Sequence, residues 1–201
     1  MNAVQKRQRD KNTLRQEIMD AARDLFVEEG YENVSMRKIA DRIEYSPTAI
    51  YLHFKDKSEL LKSICTATFA GLVSALEGIS AKLQTGKYDP VDLLKKGLQI
   101  YVDFGLAHPN HYQLTFLSPH EDPRHEDPIC MQSFDYLVEG VEACIAAGRF
   151  RAQPPQEISQ ALWAAVHGVT SLLIQHSGFP FVARKKLIHR VIDSMVAGLT
   201  A

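Results

Sequence analysis

A start signal for a helix recurs along this chain: a short polar residue followed by proline, at Ser46-Pro47, Asp89-Pro90 and Asp127-Pro128, with a further proline start at Pro155. The serine or aspartate oxygen can accept a hydrogen bond from an N–H of the first turn, and proline at the first helical position lacks the N–H that would be orphaned there. Each start precedes apolar residues spaced three and four apart, whereas no stretch carries the two-residue alternation of β-branched residues that a strand needs. An all-α protein is expected. The punctuation predicts later helices over 90–107, 110–117, 128–147, 156–176 and 181–199, with breaks at Gly86, Pro109, Gly148 and Gly178-Phe179-Pro180.

The first part of the chain is read in the same way. Leu14, Ile18, Ala21, Ala22, Leu25 and Phe26 form one apolar stripe on a first helix, and Gly30 suits the left-handed residue that ends it. A short second helix follows from about Ser35, an N-cap, to Arg42. Three residues, Ile43-Glu44-Tyr45, separate it from a third helix that runs from Ser46-Pro47 to about His53. Asp56 and Glu59 form a capping pair that opens a fourth helix, Asp56 to Leu83, roughly 42 Å long at about 1.5 Å per residue.

Two short helices joined by three residues make the helix-turn-helix outline, in which the second helix enters the major groove of DNA. Ile39, Ala40, Ile43 and Ile50 can lock the pair together. Small or polar residues at the start of the third helix, Ser46, Pro47, Thr48 and Ala49, let a rod about 10–12 Å across sit in a groove about 12 Å wide. Thr48 and Ala49 offer a hydroxyl and a methyl to base edges. Tyr45, Tyr51 and His53 can reach flanking phosphates, Lys57 adds charge at the next helix start, and Arg37 on the second helix joins this set of candidate DNA contacts. The formal net charge is −1, but Lys6, Arg7, Arg9, Lys11 and Arg15 stand against only Asp10 in the first fifteen residues. That arm either tracks phosphate or is a solvated, frayed end.

The stretch from Ile39 through Leu60, with its Tyr51-x-His53-Phe54-x-x-Lys57-x-x-Leu60 run and its Gly30-to-Met36 lead-in, resembles the DNA-binding domain of TetR-family transcriptional regulators. The resemblance implies that Thr48 and its neighbours read bases while Tyr51, His53 and Lys57 hold phosphates. Many members have glycine in the turn where this chain has Glu44, so Glu44 must adopt whatever backbone the turn demands. Trp163-x-x-x-His167-Gly168 resembles the family's WHG type of C-terminal domain. Trp163 and His167 share a helix face; they are read either as packing or as ligand contacts. What the family implies is an N-terminal three-helix domain over residues 1–56 and a helical ligand-sensing and dimerisation domain over 57–201. A homodimer on a palindromic operator, released by a small-molecule effector, is the expected repressor; an activator or ligand-independent regulator is the alternative.

The remaining features bound this reading. Tyr101, Phe104, Tyr112, Phe116 and Phe134 lie at helical spacing and are either core or the lining of a pocket between helices. The last two helices carry broad stripes, Leu162 to Leu173 and Leu187 to Leu199, which pairing with a second copy would cover; burial within the chain is the competing account. No nucleophile elbow, phosphate-binding glycine loop or His-Glu-x-x-His spacing occurs, so no enzyme, cofactor or metal is expected; the His-rich 108–125 segment is read as a polar loop, a metal site being the alternative. The apolar stretch 161–181 is interrupted by His167, Gln175 and His176 and reads as a buried helix rather than a membrane span. A polar N-terminus and three widely spaced cysteines suit a reducing cytoplasm.

Overall fold

A computed structural model describes residues 3–117 and 128–200. Nine α-helices are described: α1 Ala3–Glu29, α2 Met36–Arg42, α3 Pro47–Tyr51, α4 Lys57–Gln84, α5 Pro90–Ala107, α6 Pro109–Tyr112, α7 Pro128–Ala146, α8 Pro155–Gln175 and α9 Arg184–Ala197. Among the described residues there is no strand, only one isolated bridge between Phe150 and Thr200. The protein is all-α.

The start signals act as their chemistry requires. Ser35 Oγ accepts from the Lys38 N–H at 3.2 Å, Ser46 Oγ from Ala49 at 3.3 Å and Asp89 Oδ1 from Val91 at 2.8 Å. Asp56 Oδ1 accepts from the Glu59 N–H at 2.8 Å, and the Glu59 carboxylate reaches back to the Lys55 N–H at 2.6 Å. Two donors at that helix start are thereby satisfied reciprocally.

Three boundaries differ from the sequence reading. Helix α1 begins at Ala3, so the backbone of the basic arm continues the first helix instead of preceding it. The segment predicted as one helix over 110–117 is a single α-turn, α6, continued by a π-helical turn over Gln113–Leu117. Such turns hold one extra residue and are invisible to a 3.6-residue pattern. Helix α9 starts at Arg184, because Phe179 and Phe181 pack their rings 4.6 Å apart and hold the chain in a turn.

The buried side chains form two clusters. The first joins Ile18, Ala22, Leu25 and Phe26 of α1 to Ile39, Ala40 and Ile50 of the short helices, with Phe54. It also takes Leu60, Leu61, Ile64 and Cys65 from the start of α4 and Leu114 from the π-turn. The second begins about two turns further along α4 at Leu72 and Leu76 and gathers the inner faces of α5, α7, α8 and α9. Helix α4 is long and apolar enough by composition to cross a membrane, but Leu60, Ile64, Leu72 and Leu76 are buried in these two cores.

Most of the stripe that the sequence assigns to pairing is covered within the chain. Leu162, Val166, Val169, Leu173, Ile188 and Ile192 are buried in the second core, while Leu187, Val191, Met195 and Leu199 pack against it. Two stacked layers of helices need broad apolar stripes without any second copy. Of the aliphatic stripe on α8, Leu172 stays open, 46% exposed, on a ridge shared with Ala161, Ala165 and Gly168.

Candidate nucleic-acid interface and apolar cavity

The second and third helices are locked by Ile39, Ala40 and Ile50, all fully buried, with Ile43 packed against them. Between them Glu44 sits at φ 59, the left-handed region. The turn is closed by Tyr45 N–H donating to Ala40 O at 3.0 Å, which requires the backbone to reverse at Glu44. A non-glycine pays for this with strain of about 1 kcal/mol. The geometry of the motif survives the departure from glycine.

The candidate contacts divide into two groups. Arg37, Tyr45, Ser46, Thr48 and Tyr51 are exposed, Pro47 and Ala49 half-buried at the start of α3. Tyr51, 54% exposed, projects from the end of that helix. Lys57 and His53 stand differently. The Lys57 ammonium donates to Tyr31 O at 2.7 Å and lies 4.1 Å from the centre of the Tyr31 ring, so it ties α4 to the turn before α2. His53 is half-buried, and its Nδ1 has no hydrogen-bond partner among the described residues. Burial, then the nearby Lys11 and Arg15 charges, hold its imidazole below the usual range. Arg15, counted above with the basic arm, stacks its guanidinium 4.3 Å from the Phe54 ring and donates to Ser63 Oγ at 3.3 Å.

A cavity of about 670 Å³ lies between α4, α5, α7 and α8. Among the candidate effector residues, Tyr101, Phe116, Phe134, Trp163 and His167 line it; Phe104 does not, and Tyr112 stands directly behind the wall. Tyr112 OH is 2.6 Å from His167 Nδ1 and 3.0 Å from Tyr101 OH, and Trp163 Nε1 donates to Tyr101 OH at 3.1 Å. Burial pushes the Tyr112 phenol up to about 12 and the Tyr101 phenol well above its ordinary value, so both stay uncharged at neutral pH. Phe104 instead supports Gly71 of α4, its ring 3.3 Å from where a side chain would begin. Sequence periodicity could not separate Phe104 from its neighbours, because residues 101 and 104 share one helix face. The wall that α4 contributes, from Phe69 to Leu83, carries no sequence signal of its own, because leucines at helical spacing look the same in a core and in a cavity wall.

A polar bridge links the two halves. Arg23 of α1 donates to His111 Nε2 at 2.7 Å, and His111 Nδ1 lies 3.1 Å from Thr68 Oγ1 of α4. Asn110 donates to Asp24 at 3.3 Å beside it. Of the His-rich segment, His108 and His111 are described, and His111 serves this bridge; His120 and His125 with their acidic neighbours lie outside the described residues. Among the described residues no group of three potential ligands could hold a metal.

A helix-turn-helix braced by its first helix, and joined through one long helix to a second helical body, defines a bacterial DNA-binding transcriptional regulator. The chain belongs to the TetR family: residues 18–64 match "Bacterial regulatory proteins, tetR family", and residues 94–196 match "Tetracyclin repressor-like, C-terminal domain". An HTH-type transcriptional regulator of Staphylococcus aureus is 46% identical over 52 residues, 26% of this chain and 28% of that protein, so the chain spans about a quarter of the length of the curated relatives it matches. Among solved structures, a tetR-family regulatory protein from Rhodococcus RHA1 superposes with a TM-score of 0.78 at 19% identity, covering 93% of this chain and 97% of that one. The fatty acid degradation regulator FadR from Bacillus halodurans gives 0.75 at 18%, covering 90% and 94%. At these identities the likeness is one of fold. The family and the relatives are transcriptional regulators, not enzymes.

Proposed function

We propose that the protein is a cytoplasmic repressor that binds a palindromic operator as a homodimer and is released by a small-molecule effector. The observation that carries this reading is the apolar cavity bounded by the same helix, α4, that supports the helix-turn-helix. In this reading residues 1–56 form the DNA-binding unit and 57–201 the sensing and dimerising unit. Thr48 and Ala49 meet base edges; Arg37, Tyr45, Ser46, Pro47, Tyr51 and His53 lie along the backbone. Lys57 contributes by holding the turn before α2 rather than by a direct phosphate bond.

One recognition helix reads only a few base pairs, so a second copy is needed for specificity, with half-sites about 34–36 Å apart or a multiple. The open ridge of α8, with Ala161, Ala165, Gly168 and Leu172, supports pairing there, since small residues let two helices approach closely. An effector that favours the DNA-incompetent spacing a hundredfold weakens each site by about 2.7 kcal/mol.

The test combines sedimentation with fluorescence anisotropy on duplex DNA from upstream of the gene, at two salt concentrations. A dimer whose affinity falls steeply with salt supports the reading; a monomer indifferent to that DNA overturns it. In a deletion strain a reporter on the same promoter should rise, and a fall would assign activation instead.

A further inference from the structure

We infer that the cavity takes an uncharged, elongated amphiphile, with its hydrogen-bonding head at the Tyr101–Trp163–His167 corner and its hydrocarbon body along α4 toward Leu83. The inference rests on the cavity being the effector site and adds the chemistry of what fills it.

Shape comes first. The wall on α4 runs from Phe69 to Leu83, about 21 Å at about 1.5 Å per residue. A volume of about 670 Å³ spread along that length suits a narrow molecule better than a globular one. The ring groups that can hydrogen-bond to one another gather at one end, although Ser133, Tyr136 and Gln160 also reach the lining. Phe69 and Phe116 pack 5.2 Å apart, and Phe116 lies 6.2 Å from Tyr101 and 6.0 Å from His167, which places the phenol, imidazole and indole groups beside the start of the α4 wall. Two to four turns further along α4 the surface is Leu76, Ile79 and Leu83, faced by Leu93, Leu94 and Leu137. Ser80 breaks that run, but its hydroxyl donates to Glu139 at 2.7 Å.

Charge decides the class. Among the described residues no lysine, arginine, aspartate or glutamate lines the cavity. Among the described residues that line it, an ionised carboxylate or ammonium meets no permanent charge of opposite sign, which disfavours binding. A hydroxyl, by contrast, finds hydroxyl, imidazole and indole partners within one corner, where Tyr101 OH is 3.1 Å from Trp163 Nε1 and 3.2 Å from His167 Nδ1. A primary alcohol or similar neutral head fits; a soap or a quaternary detergent does not.

Trp163 is the one tryptophan in the chain, so its emission reports on the corner directly. The full-length protein is titrated at pH 8, where an ordinary imidazole is neutral, with dodecan-1-ol, dodecanoate and dodecyltrimethylammonium. The alcohol is expected to saturate the signal, with affinity rising about fourfold per methylene in shorter homologues, and both ions to bind about a hundredfold more weakly. Tyr101→Phe should lower alcohol affinity about tenfold. Gly97→Leu, where an added Cβ meets nothing nearer than Leu76 at 4.0 Å, should fill the channel and abolish binding while thermal melting and operator affinity persist. Either ion binding within tenfold of the alcohol overturns the neutral class but leaves the effector site standing. Alcohol binding that survives Gly97→Leu undiminished, or no binding by any of the three, overturns the assignment of this cavity altogether.

Discussion

His111 Nε2 accepts a hydrogen bond from the Arg23 guanidinium at 2.7 Å, joining α6 to α1. The acceptor must be unprotonated, so Nδ1 carries the hydrogen and donates to Thr68 Oγ1, which itself donates to Ile64 O at 2.9 Å. Burial, then the Arg23 and His108 charges, hold the imidazole below its ordinary value. The folded state therefore resists protonation that the unfolded chain accepts freely near pH 6.5.

Stability should consequently be full above about pH 7 and decline as pH falls through about 6.5 and below, levelling once the folded imidazole is protonated too. Thermal melting between pH 5 and 8 measures this. His111→Gln should lose that part of the pH dependence, and His111→Ala should cost about 1–2 kcal/mol from the hydrogen bonds removed. A pH profile identical in wild type and His111→Gln would refute the assignment.

Glu44→Gly should stabilise the protein by about 0.5–1 kcal/mol, because glycine takes φ 59 without the Cβ clash and the gain exceeds its added chain entropy. Urea denaturation gives the sign. DNA affinity should hold, since the Glu44 side chain is exposed and the turn hydrogen bonds involve backbone only.

Gly105→Ala should be costly. A Cβ there would lie 2.6 Å from Thr170 Cγ2 and 2.7 Å from Tyr112 Cδ2, both in tightly packed surroundings. Overpacking of this kind costs about 1–3 kcal/mol. Because Tyr112 must move, its contact with His167 is also disturbed, and the Trp163 emission of the unliganded protein should change together with the melting temperature.

On the DNA face, Tyr51→Ala should weaken binding to all sequences alike, whereas Thr48→Ala should change sequence preference, by about 1 kcal/mol at one base pair. Lys57→Met separates the two jobs open to that residue. Its ammonium is engaged at Tyr31, so stability should fall by about 1 kcal/mol with DNA affinity, once folded, little altered. Anisotropy against specific and scrambled duplexes distinguishes the three outcomes.

The helices were legible because each start is marked by local chemistry that acts within one turn. Ser46-Pro47 and Asp89-Pro90 specify their own hydrogen bonds whatever the rest of the chain does. The π-turn at Gln113–Leu117 was not, since its extra residue is set by where Leu114 must dock. The same contrast holds at the candidate sites. Tyr45, Thr48 and Tyr51 could be read from a local motif, whereas Phe104 and Phe116 are told apart only by which helix faces them, Phe104 lying over Gly71 and Phe116 on the cavity. The second contact of Lys57 was hidden for a similar reason: the carbonyl that its ammonium meets, at Tyr31, is twenty-six residues away.

Leu114 is wholly shielded inside the N-terminal core although its neighbours Tyr112 and Phe116 belong to the cavity side. Together with Leu60, Leu61, Ile64 and Cys65 it acts as a plug borrowed from beyond the first three helices. A fragment cut at residue 56 would leave that socket open to water, so excising the N-terminal segment should yield an insoluble or molten piece instead of a miniature DNA-binding domain. A shift of the π-turn would therefore disturb the same socket, and the two ends of the molecule are expected to melt as one.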